Sequence, residues 1–151
     1  MSESVRMAET SDVGAIVAFG AGVVPQHYAA ILGADAAQAQ LAWWTSDRMQ
    51  SAVTAGRVHL AVTDDAVVGV VETGEFAGEQ VIWKLYLAPD RRGRSLGAEL
   101  LRRAVESLPD GAGHVLVEHF AGNGGAGNFY EREGFGPYPF WWTGVKVGWV
   151  P

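Results

Sequence analysis

Cysteine is absent from the 151 residues of this chain. Its absence excludes disulfide bonds, thiolate metal ligands and a cysteine nucleophile. No uninterrupted apolar run approaches the roughly 18 residues of a membrane span. Residues 1–12 carry neither a basic start nor an apolar stretch. We therefore expect a protein that is neither secreted nor bound to a membrane, and a cytoplasmic location.

Positive charge is scarce, because 11 Lys and Arg residues face 17 Asp and Glu residues for a net charge of −6. This balance argues against nucleic acid as a partner. Five of the 11 cations nevertheless fall within thirteen residues: Arg91, Arg92, Arg94, Arg102 and Arg103. They predict a local anion site, although Arg102 and Arg103 are better explained as a solvated helix face paired with Glu106 and Glu99.

Length and the order of patterns predict one domain over residues 1–151. The pattern indicates a helix that ends at Gly20 or Gly22, a second helical zone from Pro25, and one or two helices over residues 34–55, with Ser46 or Asp47 as a cap. A hairpin around residues 63–65 follows, then a loop over residues 73–80. Strands and helices then alternate up to a tail of one or two edge strands, which is typical of an α/β domain with a mixed sheet.

Residues 85–101 read LYLAPDRRGRSLGAELL, an apolar strand followed by an Arg- and Gly-rich turn and a helix pattern from Leu96. Successive backbone N–H groups and a positive helix end can bind one anion at such a junction. The spacing from Arg92 to Ala98 is neither the phosphate loop that ends in Gly-Lys-Ser/Thr nor the dinucleotide fingerprint Gly-x-Gly-x-x-Gly. The segment therefore predicts an anion cradle without naming the anion.

A second constellation follows about thirty residues later: Asn123, Ala126, Phe129-Tyr130 and Gly134-Phe135. Together with the cradle, it resembles the acyl-CoA signature of the GNAT acetyltransferase superfamily. The resemblance covers Val81 to Phe135. It implies an α/β fold with a central mixed, mostly antiparallel sheet of six or seven strands. It also implies helices on both faces and a V-shaped splay between the fourth and fifth strands.

The resemblance also implies roles for individual residues. It places around the CoA pyrophosphate the residues Arg92, Gly93, Arg94, Ser95, Leu96, Gly97 and Ala98. Backbone groups of Leu85 and Leu87 would bind the pantetheine arm, and Asn123 would hold it. An N–H near Tyr86 or Leu87 would bind the thioester oxygen, and Tyr130 would protonate the departing thiolate.

Two positions depart from the family pattern. Ser95 stands where glycine is usual, so it is strained if the backbone there needs a positive φ and acts as a cap or phosphate donor if it does not. Four glycines lie just before Phe129, and glycine disfavours a helix. We therefore expect the helix to begin at Phe129, with the glycine-rich residues before it as loop.

The proton acceptor for an amine is not marked by a motif. We favour Glu118 over Glu72 and Glu79, because the splay would open beside its strand. His27, His59 and His114 lack metal-ligand spacing and are interpreted as structural or surface residues. The tryptophan pairs 43–44 and 141–142 are interpreted as core or dimer packing, with an aromatic pocket for an amine as the alternative.

These expectations combine into a function. The resemblance implies an N-acetyltransferase that uses acetyl-CoA as co-substrate and needs no metal. The acceptor would be a small-molecule or peptide amine, which would attack the thioester directly in a ternary complex. A catalytically silent CoA-binding sensor or partner module is the main alternative, and a domain that binds another phosphate-bearing ligand is a third. A homodimer stays open.

Overall fold

The computed structural model describes residues 3–92, 95–112, 115–120, 124–133, 135–142 and 145–150. In these ranges the helices are α1 Val13–Leu32, α2 Ala34–Ala39, α3 Ser46–Thr54, α4 Leu96–Glu106 and α5 Gly124–Arg132. The strands are β1 Glu3–Met7, β2 Val58–Thr63, β3 Ala66–Phe76, β4 Glu79–Leu87, β5 Val115–Phe120, β6 Gly136–Trp142 and β7 Val145–Val150.

The strands described form one seven-stranded sheet in the order β1-β2-β3-β4-β5-β7-β6. Neighbouring strands run antiparallel except for β4 and β5, which pair in parallel. A parallel pair needs a long crossover connection, and α4 supplies it. The expected α/β fold with a mixed, mostly antiparallel sheet is confirmed.

Two hydrophobic clusters cover opposite faces of the sheet. One packs α1, α2 and α3 against β2 and β3 and contains Ile16, Val24 and Met49. The other packs α4 and α5 against the middle strands and contains Leu100, Val117 and Tyr130. Side chains alternate between the faces of a strand, so neighbouring residues of β4 belong to different clusters.

The first helix is longer than the sequence pattern indicates. α1 continues through Gly20, Gly22 and Pro25 as far as Leu32. Burial of Ile16 and Val24, both fully enclosed, holds the two predicted segments in line. Tertiary packing outweighs the local helix-breaking tendency of these residues.

The same segment bears on the prediction about membranes. By length and composition alone, residues Thr10–Leu32 are long and apolar enough to cross a membrane. The helix meets this criterion on average hydropathy, because Pro25, Gln26 and His27 interrupt its apolar run. The finding is weak evidence for a span, because core helices of soluble proteins pass the same test, and α1 contributes to the core.

Several boundaries also differ from those predicted. Residues 73–80 form a hairpin rather than a loop, because β3 extends to Phe76 and the turn residues Ala77 and Gly78 adopt positive φ. Thr45, not Ser46 or Asp47, caps α3 by accepting a hydrogen bond from the backbone N–H of Arg48.

Differences at the end of the chain are of the same kind. α5 begins at Gly124, inside the glycine run, rather than at Phe129. Of the two predicted tail strands only β6 lies at the edge, since β7 inserts between β5 and β6. Sequence pattern shows that a strand forms but not which neighbour it will pair with.

Candidate active site

A gap between β4 and β5 dominates the middle of the sheet. The two strands pair at Val81 with Leu116 and at Ile82 with Val117, and no further pairs follow. β4 nevertheless continues to Leu87 and β5 to Phe120. The edge of β4 that faces β5 therefore carries backbone groups without a ladder partner among the described strands, which is where an extended ligand can bind as an added strand.

A bulge prepares β4 for this arrangement. The register between β3 and β4 shifts between Glu72 and Thr73, so Trp83 is the extra residue on β4. Beyond the bulge, Leu85 and Leu87 pack on the α4 side of the sheet, whereas Tyr86 packs on the α1 side. The splayed end of β4 thus presents side chains to both faces.

The anion cradle lies at the N-terminus of α4. The N-terminal helix bond joins the N–H of Glu99 to the carbonyl of Ser95. The N–H groups of Leu96, Gly97 and Ala98 precede that bond and have no partner within the helix. Arg92, four residues before Leu96 in the sequence, is exposed. Three directed donors, a positive helix end and a guanidinium form a site suited to a diphosphate.

Two residues of the cradle have unusual backbone demands. Ser95 adopts a left-handed conformation with φ 65° and makes no side-chain capping hydrogen bond. The strained alternative of the two considered from the sequence is the one observed. At Gly97, a Cβ would lie 3.3 Å from Phe129 Cε1 and 3.4 Å from Leu87 Cδ1. Gly97 therefore brings α4 close to α5 and β4.

Tyr130 lies on α5 and is buried in the α4-side cluster. Its ring contacts those of Phe129 and Phe135, each with ring centroids 5.3 Å apart. Burial raises the pKa of Tyr130 above 10, and the neighbouring Tyr28 adds to that rise. Tyr130 therefore retains its proton at neutral pH, as a proton donor must.

A group of aromatic side chains packs together on the α1 side of β4. The hydroxyls of Tyr28 and Tyr86 are hydrogen-bonded at 3.0 Å. His27 lies with its ring edge-on to both tyrosines, at 4.8 and 6.4 Å between centroids, and Trp44 contacts Tyr86 at 5.4 Å. We call His27, Tyr28, Trp44 and Tyr86 the aromatic cluster. Only the structure reveals it, because α1 and β4 are distant in sequence.

The two tryptophans of the early helical zone separate. Trp44 is 3% exposed and belongs to the core, as expected. Trp43 is 54% exposed, with the Arg48 guanidinium 4.6 Å above its ring. The pair therefore serves two different purposes, and the exposed member is an ordinary surface contact.

The carboxylates considered as proton acceptors lie in different environments. Glu72 is buried and forms an ion pair of 2.7 Å with Lys84, whose ammonium also lies 5.2 Å from the Trp44 ring. Because it is engaged in this buried ion pair, Glu72 is interpreted as a structural residue rather than as the proton acceptor. Glu79 starts β4, at the end away from Leu87. The backbone of Glu118 lies in β5 beyond the last pair with β4, and its side chain lies outside the described part.

Other predicted site residues also lie outside the described ranges, namely Gly93, Arg94 and Asn123. Arg102 is described, and it pairs with Glu106 at 2.6 Å and Glu99 at 2.9 Å on the exposed face of α4. Its interpretation as a helix-surface residue is confirmed, but the partner of Glu99 is Arg102 rather than the expected Arg103. Among the described residues, no group of His, Asp and Glu is arranged to hold a metal ion.

Comparison with known families agrees with this geometry. Residues 54–137 match the model of the acetyltransferase (GNAT) domain, which is more than half of the chain. The chain belongs to the GNAT acetyltransferase family. The match covers the splayed strands, the cradle and Tyr130 together. A search of curated proteins finds no match.

Solved GNAT structures share the fold over the whole chain. The PaiA N-acetyltransferase of Thermoplasma acidophilum, solved with coenzyme A, is 16% identical with a TM-score of 0.88, covering 99% of this chain and 98% of that one. The ribosomal-protein-S18-alanine N-acetyltransferase of Escherichia coli is 19% identical with a TM-score of 0.68, covering 99% and 94%. At these identities the likeness shows the fold.

Proposed function

We propose that this GNAT protein transfers an acetyl group from acetyl-CoA to a primary amine within a ternary complex. The observation that carries the proposal is the parallel pairing of β4 and β5, which stops after Ile82 and Val117 while both strands continue. An extended pantetheine arm fits such a gap by pairing with the backbone at Leu85 and Leu87. Coenzyme A in the T. acidophilum structure supports the choice of donor.

The cradle binds the other end of the donor. N–H groups of Leu96, Gly97 and Ala98 bind the pyrophosphate together with Arg92, and Gly93, Arg94 and Ser95 are the other residues assigned to it. Asn123 holds the pantetheine arm. No metal is required, because the helix end and the guanidinium supply the positive charge.

The chemistry then uses few groups. The amine nitrogen attacks the thioester carbon while an N–H near Tyr86 or Leu87 binds the oxygen that becomes negative. As the C–S bond breaks, its electron pair stays on sulfur, which takes the hydroxyl hydrogen of Tyr130, and the Tyr130 phenolate then takes a proton back from water. An ordinary thiol has a pKa of about 8.5, whereas burial raises the pKa of Tyr130 above 10. Because the phenol is the weaker acid of the two, the interaction starts as a hydrogen bond to sulfur. Glu118 is the proton acceptor that the sequence favours.

The test has two stages. Thermal shifts with acetyl-CoA, CoA and ATP come first, and we expect both CoA species to raise the melting temperature. Thiol release is then measured with small diamines, a lysine-containing peptide and a peptide that starts with alanine, as the E. coli neighbour's name suggests. Absence of stabilisation by either CoA species would refute the proposal. Stabilisation without thiol release would favour the silent CoA-binding module.

The variant Tyr130→Phe tests the acid. Its ring stays in place between Phe129 and Phe135, so acetyl-CoA affinity should be retained. Turnover should fall by roughly 10²-fold, the usual contribution of a positioned acid. We would measure kcat by thiol release and affinity by thermal shift. An unchanged kcat removes Tyr130 from the role.

A further inference from the structure

A buried ion pair lies close to the point where the parallel pairing of β4 with β5 ends. Glu72 of β3 and Lys84 of β4 are directly opposite residues of the ladder, each 8% exposed, with 2.7 Å between Lys84 Nζ and Glu72 Oε1. The last residue of β4 that pairs with β5 is Ile82, two positions earlier. Replacing a buried ion pair by apolar residues of similar volume is often neutral for stability, so stability alone does not account for these two charges.

The residue between Ile82 and Lys84 forms the bulge. Trp83 is the extra residue of β4, because the register with β3 shifts there. β3 makes room for its ring at Gly74, where a Cβ would lie 2.6 Å from Trp83 Cδ1. Next to the extra residue, the ion pair holds Lys84 opposite Glu72. Two features of β3 therefore specify which residue of β4 is the extra one.

Trp44 contacts the ammonium of Lys84 as well. Its ring is 5.2 Å from Lys84 Nζ, and it also contacts the ring of Tyr86 at 5.4 Å between centroids. Trp44 is itself buried, so little water screens this contact. A cation is attracted more strongly to an aromatic face in such surroundings than at an exposed site. Lys84 is thereby held on the α1 side of β4, where Tyr86 also packs.

The position of the bulge decides which backbone groups of β4 are directed to the gap. Successive residues of a strand direct their N–H and C=O groups to opposite edges. The N–H of Ala88 donates to the carbonyl of Val68 at 2.8 Å, so it is directed to β3. Leu85 and Leu87 alternate with it and direct their groups to the other edge, toward β5. If the extra residue lay beyond Leu87, a shift by one residue would exchange the two sets.

We propose that the Glu72–Lys84 pair positions the donor site by acting through the backbone of β4. This rests on the proposed acetyl transfer. By fixing the bulge at Trp83, the pair keeps the backbone groups of Leu85 and Leu87 directed into the gap that would receive the pantetheine arm. Without the pair, the extra residue is free to move along β4, and only a fraction of the molecules presents the competent edge. The apparent Kd of the donor then rises by the inverse of that fraction.

The test replaces both charged residues together, because the loss of one would leave the other buried without a partner. Glu72→Leu/Lys84→Met should fold with a melting temperature near that of the wild type. We expect its Kd for acetyl-CoA, measured by calorimetry, to rise about 10-fold, as for one molecule in ten in the competent register. The kcat at saturating acetyl-CoA should stay unchanged, since the bound donor selects that register. In the ligand-free protein, the amide of Ala88 should exchange its hydrogen faster than in the wild type.

Two further variants serve as controls. Lys84→Arg keeps the charge and can stack on an aromatic ring, so it should retain the wild-type Kd. Arg6→Gln removes two hydrogen bonds to Asp12, of 2.8 and 3.0 Å, on a strand that β2 and β3 separate from β4. This variant should melt at a lower temperature than the wild type while its Kd for acetyl-CoA stays the same.

The outcomes separate the role of the pair from the proposed function. If the wild type binds neither acetyl-CoA nor CoA, both fail together. If the wild type binds and Glu72→Leu/Lys84→Met has the same Kd, the positioning role alone is refuted, whatever the melting temperature. A lower kcat at saturation with an unchanged Kd would also refute it. Should the double variant not fold, Glu72→Asp draws the carboxylate back by one methylene and should raise Kd; a wild-type Kd there would refute the role.

Discussion

Ser95 is a non-glycine residue in a backbone conformation that favours glycine. A non-glycine residue in the left-handed region costs about 1–2 kcal/mol, and here no side-chain capping bond offsets that cost. Ser95 is the N-cap of α4 and directly precedes the N–H groups of Leu96 to Ala98. The strain is therefore located where the anion is expected to bind, as strained residues often are.

Replacing Ser95 by glycine should raise the free energy of unfolding by roughly 0.5–1 kcal/mol, because relief of strain exceeds the entropy that glycine adds to the unfolded chain. Ser51→Gly is the control, since Ser51 is exposed inside α3, where glycine should cost about 0.5 kcal/mol. Urea unfolding of the ligand-free protein measures both. A destabilised Ser95→Gly protein would show that φ 65° is not a source of strain.

At the scale of elements, α1 packs closely against the following segment at Gly20. Gly20 lies against the ring of Trp44, which in turn contacts Tyr86 of β4 and the Lys84 ammonium. The absence of a side chain at Gly20 thus lets α1 approach the layer that carries His27 and Tyr28. Glycine at this position is a packing residue, although its local effect is to weaken the helix.

Two alanine substitutions in the same helix should have opposite effects. A Cβ on Gly20 would lie 2.6 Å from Trp44 Cδ2, so Gly20→Ala should destabilise the protein by about 1–3 kcal/mol through overpacking. Gly22 has no atom within 4 Å of the same position, and Gly22→Ala should stabilise by about 0.5–1 kcal/mol. Melting temperatures test the pair. Equal shifts in the same direction would contradict the packing argument.

At the scale of the whole molecule, buried imidazoles couple stability to pH. His59 is 4% exposed, and burial followed by the charge of Arg103 lowers its pKa; the pKa of His27 is lowered as well. The unfolded chain therefore binds more protons than the folded one once the pH falls below about 6.5. The free energy of unfolding must therefore decrease as the pH falls through that window.

The melting temperature should accordingly fall between pH 7.5 and pH 5.5. The slope is at most about 1.4 kcal/mol per pH unit for each proton. Asp12, whose pKa is lowered by its hydrogen bond with Arg6, adds a further loss below about pH 4. His59→Gln should make the melting temperature fall less between pH 7.5 and pH 5.5. The further loss of stability below about pH 4 should stay. A melting temperature that stays constant down to pH 5.5 would be the contrary result.

Features that depend on short stretches of the chain could be predicted from the sequence alone. The cradle between Arg92 and Ala98 is contiguous, and Tyr130 lies at a characteristic distance from it, so both could be recognised without coordinates. The hairpin at residues 63–65 and the stripe of α4 depend on short-range periodicity and were also predicted.

Long-range packing decided the rest. Tyr28 and Tyr86 are 58 residues apart, so their hydrogen bond and the position of His27 beside them depend on how α1 crosses β4. The continuity of α1 past Pro25 likewise follows from buried contacts that outweigh local propensity. The place of β7 between β5 and β6 is known only from the strand order. The sequence by itself determined the contiguous segment that we propose binds the donor. The tertiary structure decided which aromatic side chains gather on the α1 side of β4, because that juxtaposition exists only once the sheet is covered.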